Sequence, residues 1–256
     1  MSDHLSISIS DGILRIALNR PEKKNALTLA MYEGMTDALN DAANNSSVRV
    51  AVLHGLGGSF TAGNDLFDFL NDPPKDDTSP VFRFLRAAST FPKPLIAAVE
   101  GHAIGIGTTI LLHCDLAYAA PSARFQLPFV NLGLVPEAAS SLLLPKTVGT
   151  KRATELLFFG EPFSAEDAHD AGLINAVITE GNVVDHALER AKELSLKPPA
   201  SLRLTKDLLK TADTEAVART MQAEGAHFIE ALTGPEAQEA LTAFIEKRAP
   251  DFSQFH

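Results

Sequence analysis

The apolar positions in the first half of the chain fall into short runs broken by turn residues. "LSISIS" alternates polar and apolar, and "ILRIALNR" follows directly after Asp11-Gly12, which predicts a hairpin with a tight turn. "TLAMYEGMTDALNDAANN" switches to helical spacing, with Thr28 placed to cap it. "VRVAVLHG", ending at Gly55, "PLIAAVEG", ending at Gly101, and "CDLAYAA" are apolar runs of strand length. Between them, helical patterns run from about Pro80 to Phe91 and through "IGTTILLH". Strands alternating with helices predict an α/β architecture with crossover connections.

The second half is mostly helical. "TKRATELLFFG", "SAEDAHDAG", "VVDHALERAKELSL", "SLRLTKDLLKTA" and "EAVARTMQAEGAHFIEAL" all carry that pattern, and "LINAVI" is a short strand. Pro198-Pro199 interrupts the chain before the last helices. The expected division is therefore a core over residues 1–197 and a C-terminal helical subdomain over 198–256. The polar, Pro-rich "NDPPKDDTSP", Asn71 to Pro80, reads as a mobile loop.

Charge and composition narrow the partners. A net charge of −10 argues against nucleic acid or an anionic membrane, which need a basic footprint. It leaves room for a local basic pocket holding an anionic ligand. The single cysteine, Cys114, has no internal disulfide partner and suits a reducing, cytoplasmic setting. "MSDHLSISIS" carries no signal-peptide pattern, and "SQFH" is neither a lipidation signal nor a common peroxisomal tripeptide. The most apolar stretch, "LIAAVEGHAIGIGTTILLHCD", is interrupted by Glu100, His102 and three glycines, so no membrane span is expected.

The candidate chemistry starts with exclusions. The eight histidines show no paired spacing, so no metal site is expected. "GHAIGIG" misses the dinucleotide fingerprint, and "GLGG" lacks the Lys-Ser/Thr of a P-loop. Two glycine-containing strand-to-helix junctions remain, "SFTAGNDL" after the strand ending at Gly55 and "GHAIGIGTT" after the strand ending at Gly101. Each can present unpaired backbone N–H groups, and two such groups converging on one oxygen form an oxyanion hole. Each is also an ordinary tight turn when taken alone. In "LPFVNLGLVPEAASS" a lone acid, Glu137, follows Pro136; there it fits either the first turn of a helix or a base facing a pocket.

Taken together, "NRPEKKNALT", "GGSFTAGNDL", "KPLIAAVEGHAIGIGTTILLHCDLAYAAPSARFQLP" and "FSAEDAHDAGLIN" resemble the enoyl-CoA hydratase/isomerase family, the crotonase superfamily, in order over nearly the whole chain. The resemblance implies a crotonase-like ββα spiral core with a C-terminal helical trimerisation region, acting on acyl-CoA thioesters as a homotrimer or dimer of trimers. No separate cofactor is implied, because coenzyme A is part of the substrate. It places the oxyanion donors on the backbone N–H groups of Asn64 and Ile106.

A hydratase of this family uses two glutamates, and their places here hold Thr109 and Phe129. Neither side chain is a general base near neutral pH. "PFVNLGLVPEAASSLLLP" instead resembles the peroxisomal-type Δ3,Δ2-enoyl-CoA isomerases, whose base matches Glu137. That resemblance implies a single-glutamate proton shuttle in a pocket made apolar by Ile106, Thr109 and Phe129. Burial there is expected to raise the Glu137 pKa. The alternatives are another reaction on the same fold, hydration or isomerisation of a ring-unsaturated acyl-CoA, and an acyl-CoA-binding protein without turnover.

By the same resemblance, coenzyme A lies along Lys24, Ala26 and Leu27 and along Ala62, Gly63, Asp65 and Leu66, and Leu132 is a further substrate-binding candidate. Phe244 and Lys247 in "FIEKRAPDF" match a segment that reaches a neighbouring active site, although the same pattern suits a solvated helix end. Asp65 is equally suited to capping a helix.

Overall fold

The computed structural model describes residues 3–255, with Leu70 by its backbone only. Among the described residues, nine strands form two sheets: β1 (Leu5–Ser10), β2 (Ile13–Leu18), β3 (Val50–Gly55), β4 (Leu95–Val99), β5 (His102–Ile104), β6 (Leu116–Ala119), β7 (Arg124–Gln126), β8 (Phe163–Ser164) and β9 (Ala176–Val177). The large sheet has the order β1-β2-β3-β4-β6-β9. β1 and β2 are the antiparallel hairpin turned at Asp11-Gly12, and the other pairs are parallel. The small sheet, β5-β7-β8, has strands of only two or three residues, too short to show a period in the sequence.

The central strands read as continuous apolar runs because both sheet faces are covered. In β3, Ala51 and Leu53 face one core, with Leu14, Ile16, Ala97 and Val99 beside them. Val50 and Val52 face the other, with Ile13, Ile96, Ala98 and Tyr118. The Leu29–Asn44 and Pro80–Ser89 helices cover the first face and the Val183–Ser195 helix the second. The first of these starts where the pattern predicts, with Thr28 Oγ1 accepting from the Met31 N–H at 3.3 Å. Each buried Val, Leu or Ile contributes ~1.5–3 kcal/mol, against ~0–1 kcal/mol for an exposed ion pair. Burial on the two sheet faces therefore dominates the stability.

The last helices, Pro199–Lys210, Thr214–Thr233 and Pro235–Glu246, fold back on the core. Lys206 Nζ donates to the Lys93 carbonyl and to Asp115 Oδ2, both at 2.7 Å, and Lys210 Nζ donates to the His113 carbonyl at 2.9 Å. The Pro235–Glu246 helix packs on the short 3-10 turn Val130–Leu132. Gly133, at φ 64°, permits this approach: a Cβ there would lie 2.6 Å from the Ala237 nitrogen. Substituting Gly133→Ala combines a left-handed backbone with that overlap, so an expected loss of about 2 kcal/mol or more follows. Urea unfolding of the variant against wild type measures it.

Candidate active site

The site is assembled beyond the C-terminal ends of β3 and β4. After β3 the chain turns back beside β5: Thr61 N–H donates to the His102 carbonyl at 2.7 Å, and Ile104 N–H donates to the Thr61 carbonyl at 3.1 Å. Gly63 then runs against Ile104, so closely that a Cβ on Gly63 would lie 3.0 Å from the Ile104 oxygen. This contact brings the two glycine-containing junctions together. Asn64 and Ile106 lie one and two residues beyond the paired positions, and neither of their N–H groups donates a hydrogen bond among the described residues. Ile106 opens the Ile106–Thr109 helix, where the first amides have no partner within the helix.

The segment Lys24–Leu27 lies alongside the same loop. Ala62 N–H donates to the Lys24 carbonyl at 2.9 Å, Leu27 N–H to the Gly63 carbonyl at 2.8 Å, and Asp65 N–H to the Leu27 carbonyl at 2.9 Å. The two stretches expected to hold coenzyme A are thus hydrogen-bonded to each other, with Lys24 exposed and Ala26 and Ala62 half-buried. Asp65 is committed elsewhere. It caps the Leu66–Asn71 helix through the Phe67 and Asp68 N–H groups, at 3.0 and 3.2 Å, and accepts from Arg20 Nη1 at 2.5 Å.

Glu137 is 4% exposed. Its Oε1 accepts from Thr109 Oγ1 at 2.5 Å, while Oε2 is buried with no hydrogen-bond partner among the described residues. Burial pushes the carboxyl up to about 8; the Thr109 hydroxyl opposes the shift and the Glu224 carboxylate adds to it. Thr109, expected from the resemblance at the place of a hydratase glutamate, therefore fixes one oxygen of Glu137. Phe129, standing where the other belongs, is buried in the main core, and Leu132 is half-buried in the turn that follows it.

The backbone after Glu137 is unusual. Ala138 and Ala139 are both left-handed, at φ 62° and 53°, a conformation that costs roughly 1–2 kcal/mol per non-glycine residue. Such a pair persists only where its surroundings hold it. His113 Nε2 donates to the Ala138 carbonyl at 2.7 Å, and Leu143 N–H donates to the Ala139 carbonyl at 2.9 Å. Burial lowers the His113 pKa to about 4, against the Ala138 bond, with Lys210 and Lys206 adding to the lowering; the ring is neutral with its proton on Nε2. A cavity of about 760 Å³ is lined by Phe82, Leu112, His113, Leu143, Met221 and Ile229 among others, and it shares His113 and Leu143 with this turn's contacts.

Three residues that the motifs do not single out belong to the site. Tyr32 is fully buried, donates its hydroxyl to Asn64 Oδ1, and so anchors the residue that supplies one candidate oxyanion amide. Burial, and then the Glu137 charge, push the Tyr32 phenol well above its ordinary range. His113 is the second and Glu224 the third. Phe244 and Lys247 are exposed at the end of the last helix. Among the described residues no group of three or more His, Cys, Asp or Glu is placed to hold a metal ion.

The raised Glu137 pKa carries a sign for stability. Between the unfolded value near 4.5 and the folded value near 8, the folded state binds the extra proton, so stability falls as pH rises through that window. A Glu137→Gln variant is expected to lose this slope and to gain stability relative to wild type above pH 8, on the order of a few kcal/mol. Denaturant unfolding of both proteins at pH 5 and pH 9 checks it.

Comparison with known proteins places this geometry. Residues 8–255 match the enoyl-CoA hydratase/isomerase family. The chain is 33% identical to mouse peroxisomal enoyl-CoA delta isomerase 3 over 254 residues, 97% of this chain and 80% of the relative. It is also 33% identical to the 1,2-epoxyphenylacetyl-CoA isomerase of Escherichia coli K12 over 260 residues, 99% of each chain. An enoyl-CoA hydratase/isomerase structure from Pseudoalteromonas atlantica T6c superimposes with a TM-score of 0.93 at 42% identity, covering 98% of this chain and 100% of that one. The chain belongs to the enoyl-CoA hydratase/isomerase family, the crotonase superfamily.

Proposed function

We propose that this protein is a Δ3,Δ2-enoyl-CoA isomerase in which Glu137 alone moves the proton. The observation that carries the reading is the Glu137 carboxyl itself, buried, with one oxygen held by Thr109 and the other unpartnered. Oε2 takes a proton from C2 of a 3-enoyl thioester. The released electron pair delocalises into a dienolate whose charge rests on the thioester oxygen, stabilised by the Asn64 and Ile106 N–H groups. The same oxygen, now carrying the proton, delivers it to C4, and the double bond ends between C2 and C3. Each oxyanion donor of this kind is worth roughly 2.7–4 kcal/mol in the transition state.

The pKa near 8 suits the task, since a general base works best when its pKa is near the working pH. Phe129 and Ile106 keep the surroundings apolar, which favours returning the proton over adding water. A hydratase reading lacks both of its glutamates, whose places hold Thr109 and Phe129. The full-length alignment with the E. coli epoxyphenylacetyl-CoA isomerase favours a second reading, isomerisation of a ring-bearing acyl-CoA by the same base. In either case coenzyme A lies along Lys24–Leu27 and Ala62–Leu66, and Phe244 and Lys247 reach the site of a neighbouring subunit in a homotrimer or dimer of trimers.

Purified protein given 3-enoyl-CoA esters of graded length is expected to form trans-2-enoyl-CoA. Glu137→Gln is expected to lower kcat by about 10²–10⁴-fold. Hydration of 2-enoyl-CoA without isomerisation contradicts the proposal, as does isomerisation by the variant at the wild-type rate. Binding of the ester without turnover identifies a carrier instead.

A further inference from the structure

Glu224 is the second buried carboxylate at this site, and it comes from a different part of the chain. It sits on the Thr214–Thr233 helix, 7% exposed. Its Oε1 accepts from the Ser141 N–H at 2.8 Å and from Ser141 Oγ at 2.5 Å. Ser141 lies at the start of the Ser140–Val148 helix, directly after the left-handed Ala138–Ala139 pair. Burial raises the Glu224 pKa, and the two Ser141 bonds at the helix start, where amides are unpaired and the dipole is positive, oppose that shift and favour the charged form. Among the described residues, Glu224 Oε2, Ser140 Oγ and Glu137 Oε2 are buried polar atoms without a hydrogen-bond partner, and all three belong to this one turn and its clamp. Buried orphan atoms of this kind are uncommon and mark functional or strained places.

We propose that Glu224 is a positioning residue for the Glu137 base: it clamps the turn that aims Glu137 and places a second negative charge behind it. The clamp acts on geometry, because the two Ser141 bonds pin the end of a turn whose backbone does not favour its own conformation. The charge acts on basicity, because a like charge nearby makes Glu137 harder to ionise and its carboxylate a stronger base. The groups around the pair do not cancel that charge. Tyr32, from the Leu29–Asn44 helix, faces Glu137 with its phenol kept protonated. His113 faces the Ala138 carbonyl as a neutral ring. Lys146 on the Ser140–Val148 helix is paired with Asp213. Arg219 and His227, on the helix that carries Glu224, line a pocket of about 440 Å³ that Glu224 and Ser141 also line; His227 lies near Glu230 and Arg219 near Glu215.

The inference rests on Glu137 being the base, and its test is read separately from that premise. Glu224→Gln keeps an oxygen for Ser141 and removes the charge; Glu224→Ala removes both. The carboxylic-acid carbonyl stretch that disappears in Glu137→Gln reports Glu137 titration by infrared difference spectroscopy without any substrate. In Glu224→Gln that titration is expected to shift down by about one pH unit. The acid limb of kcat/KM for 3-enoyl-CoA is expected to shift with it, and Glu224→Ala is expected to lose a further tenfold or so in kcat at little change in KM. A Glu137 titration unmoved in Glu224→Gln overturns the proposal, whether or not the protein isomerises. So does a Glu224→Ala protein with wild-type kcat. If neither enoyl ester is converted, the infrared titration alone decides the inference, and the isomerase reading fails separately.

Discussion

The site depends on a carboxyl group taken out of water and given no cation. Burying an ionised carboxylate is costly, and the ordinary remedies are a salt bridge or several backbone N–H donors. Glu137 has neither: Thr109 supplies one hydroxyl to one oxygen, and Glu224 adds a like charge. The group meets this cost by holding its proton more tightly, and tight proton affinity at an unpartnered oxygen is what a proton shuttle requires. Stability is given up at this point and recovered across the two apolar faces of the large sheet.

The rest of the architecture serves that placement. β3 and β4 end beside each other, so the turns after them meet through Thr61, Gly63 and Ile104. The Leu27–Asn64 and Thr61–Ala103 bridges hold the two loops in register with each other. The C-terminal helices contribute more than cover. Lys206 ties them to Asp115, and Lys210 to the carbonyl of His113, the residue whose ring grips the Ala138 turn, while Glu224 grips the same turn from the other end. The turn that carries Glu137 is thus braced from the core and from the C-terminal helices.

Much of this is legible in the residues. The runs ending at Gly55 and Gly101 are strands, Thr28 caps its helix, and Glu137 stands out once the family resemblance sets Thr109 and Phe129 at the places of the hydratase acids. What the sequence hides is hidden for physical reasons. Tyr32 lies on the apolar stripe of an amphipathic helix, where a phenol looks like one more core group; only the fold brings it to Asn64. Glu224 sits in "MQAEGAHF", a pattern indistinguishable from a solvated helix face until that helix is docked on Ser141. Ala138 and Ala139 carry no sign of a left-handed turn, because alanine ordinarily favours helix; the conformation is imposed by His113 and Glu224. Strands of two or three residues such as β7 and β8 leave no periodic trace.

The central claim is that one oxygen of Glu137 carries one proton from C2 to C4. It is tested most directly by following deuterium placed at C2 of a 3-enoyl-CoA through a single turnover in ordinary water. The account predicts trans-2-enoyl-CoA with a substantial share of the label at C4. Product whose C4 hydrogen comes entirely from solvent within that turnover, or a 3-hydroxyacyl product in its place, contradicts it.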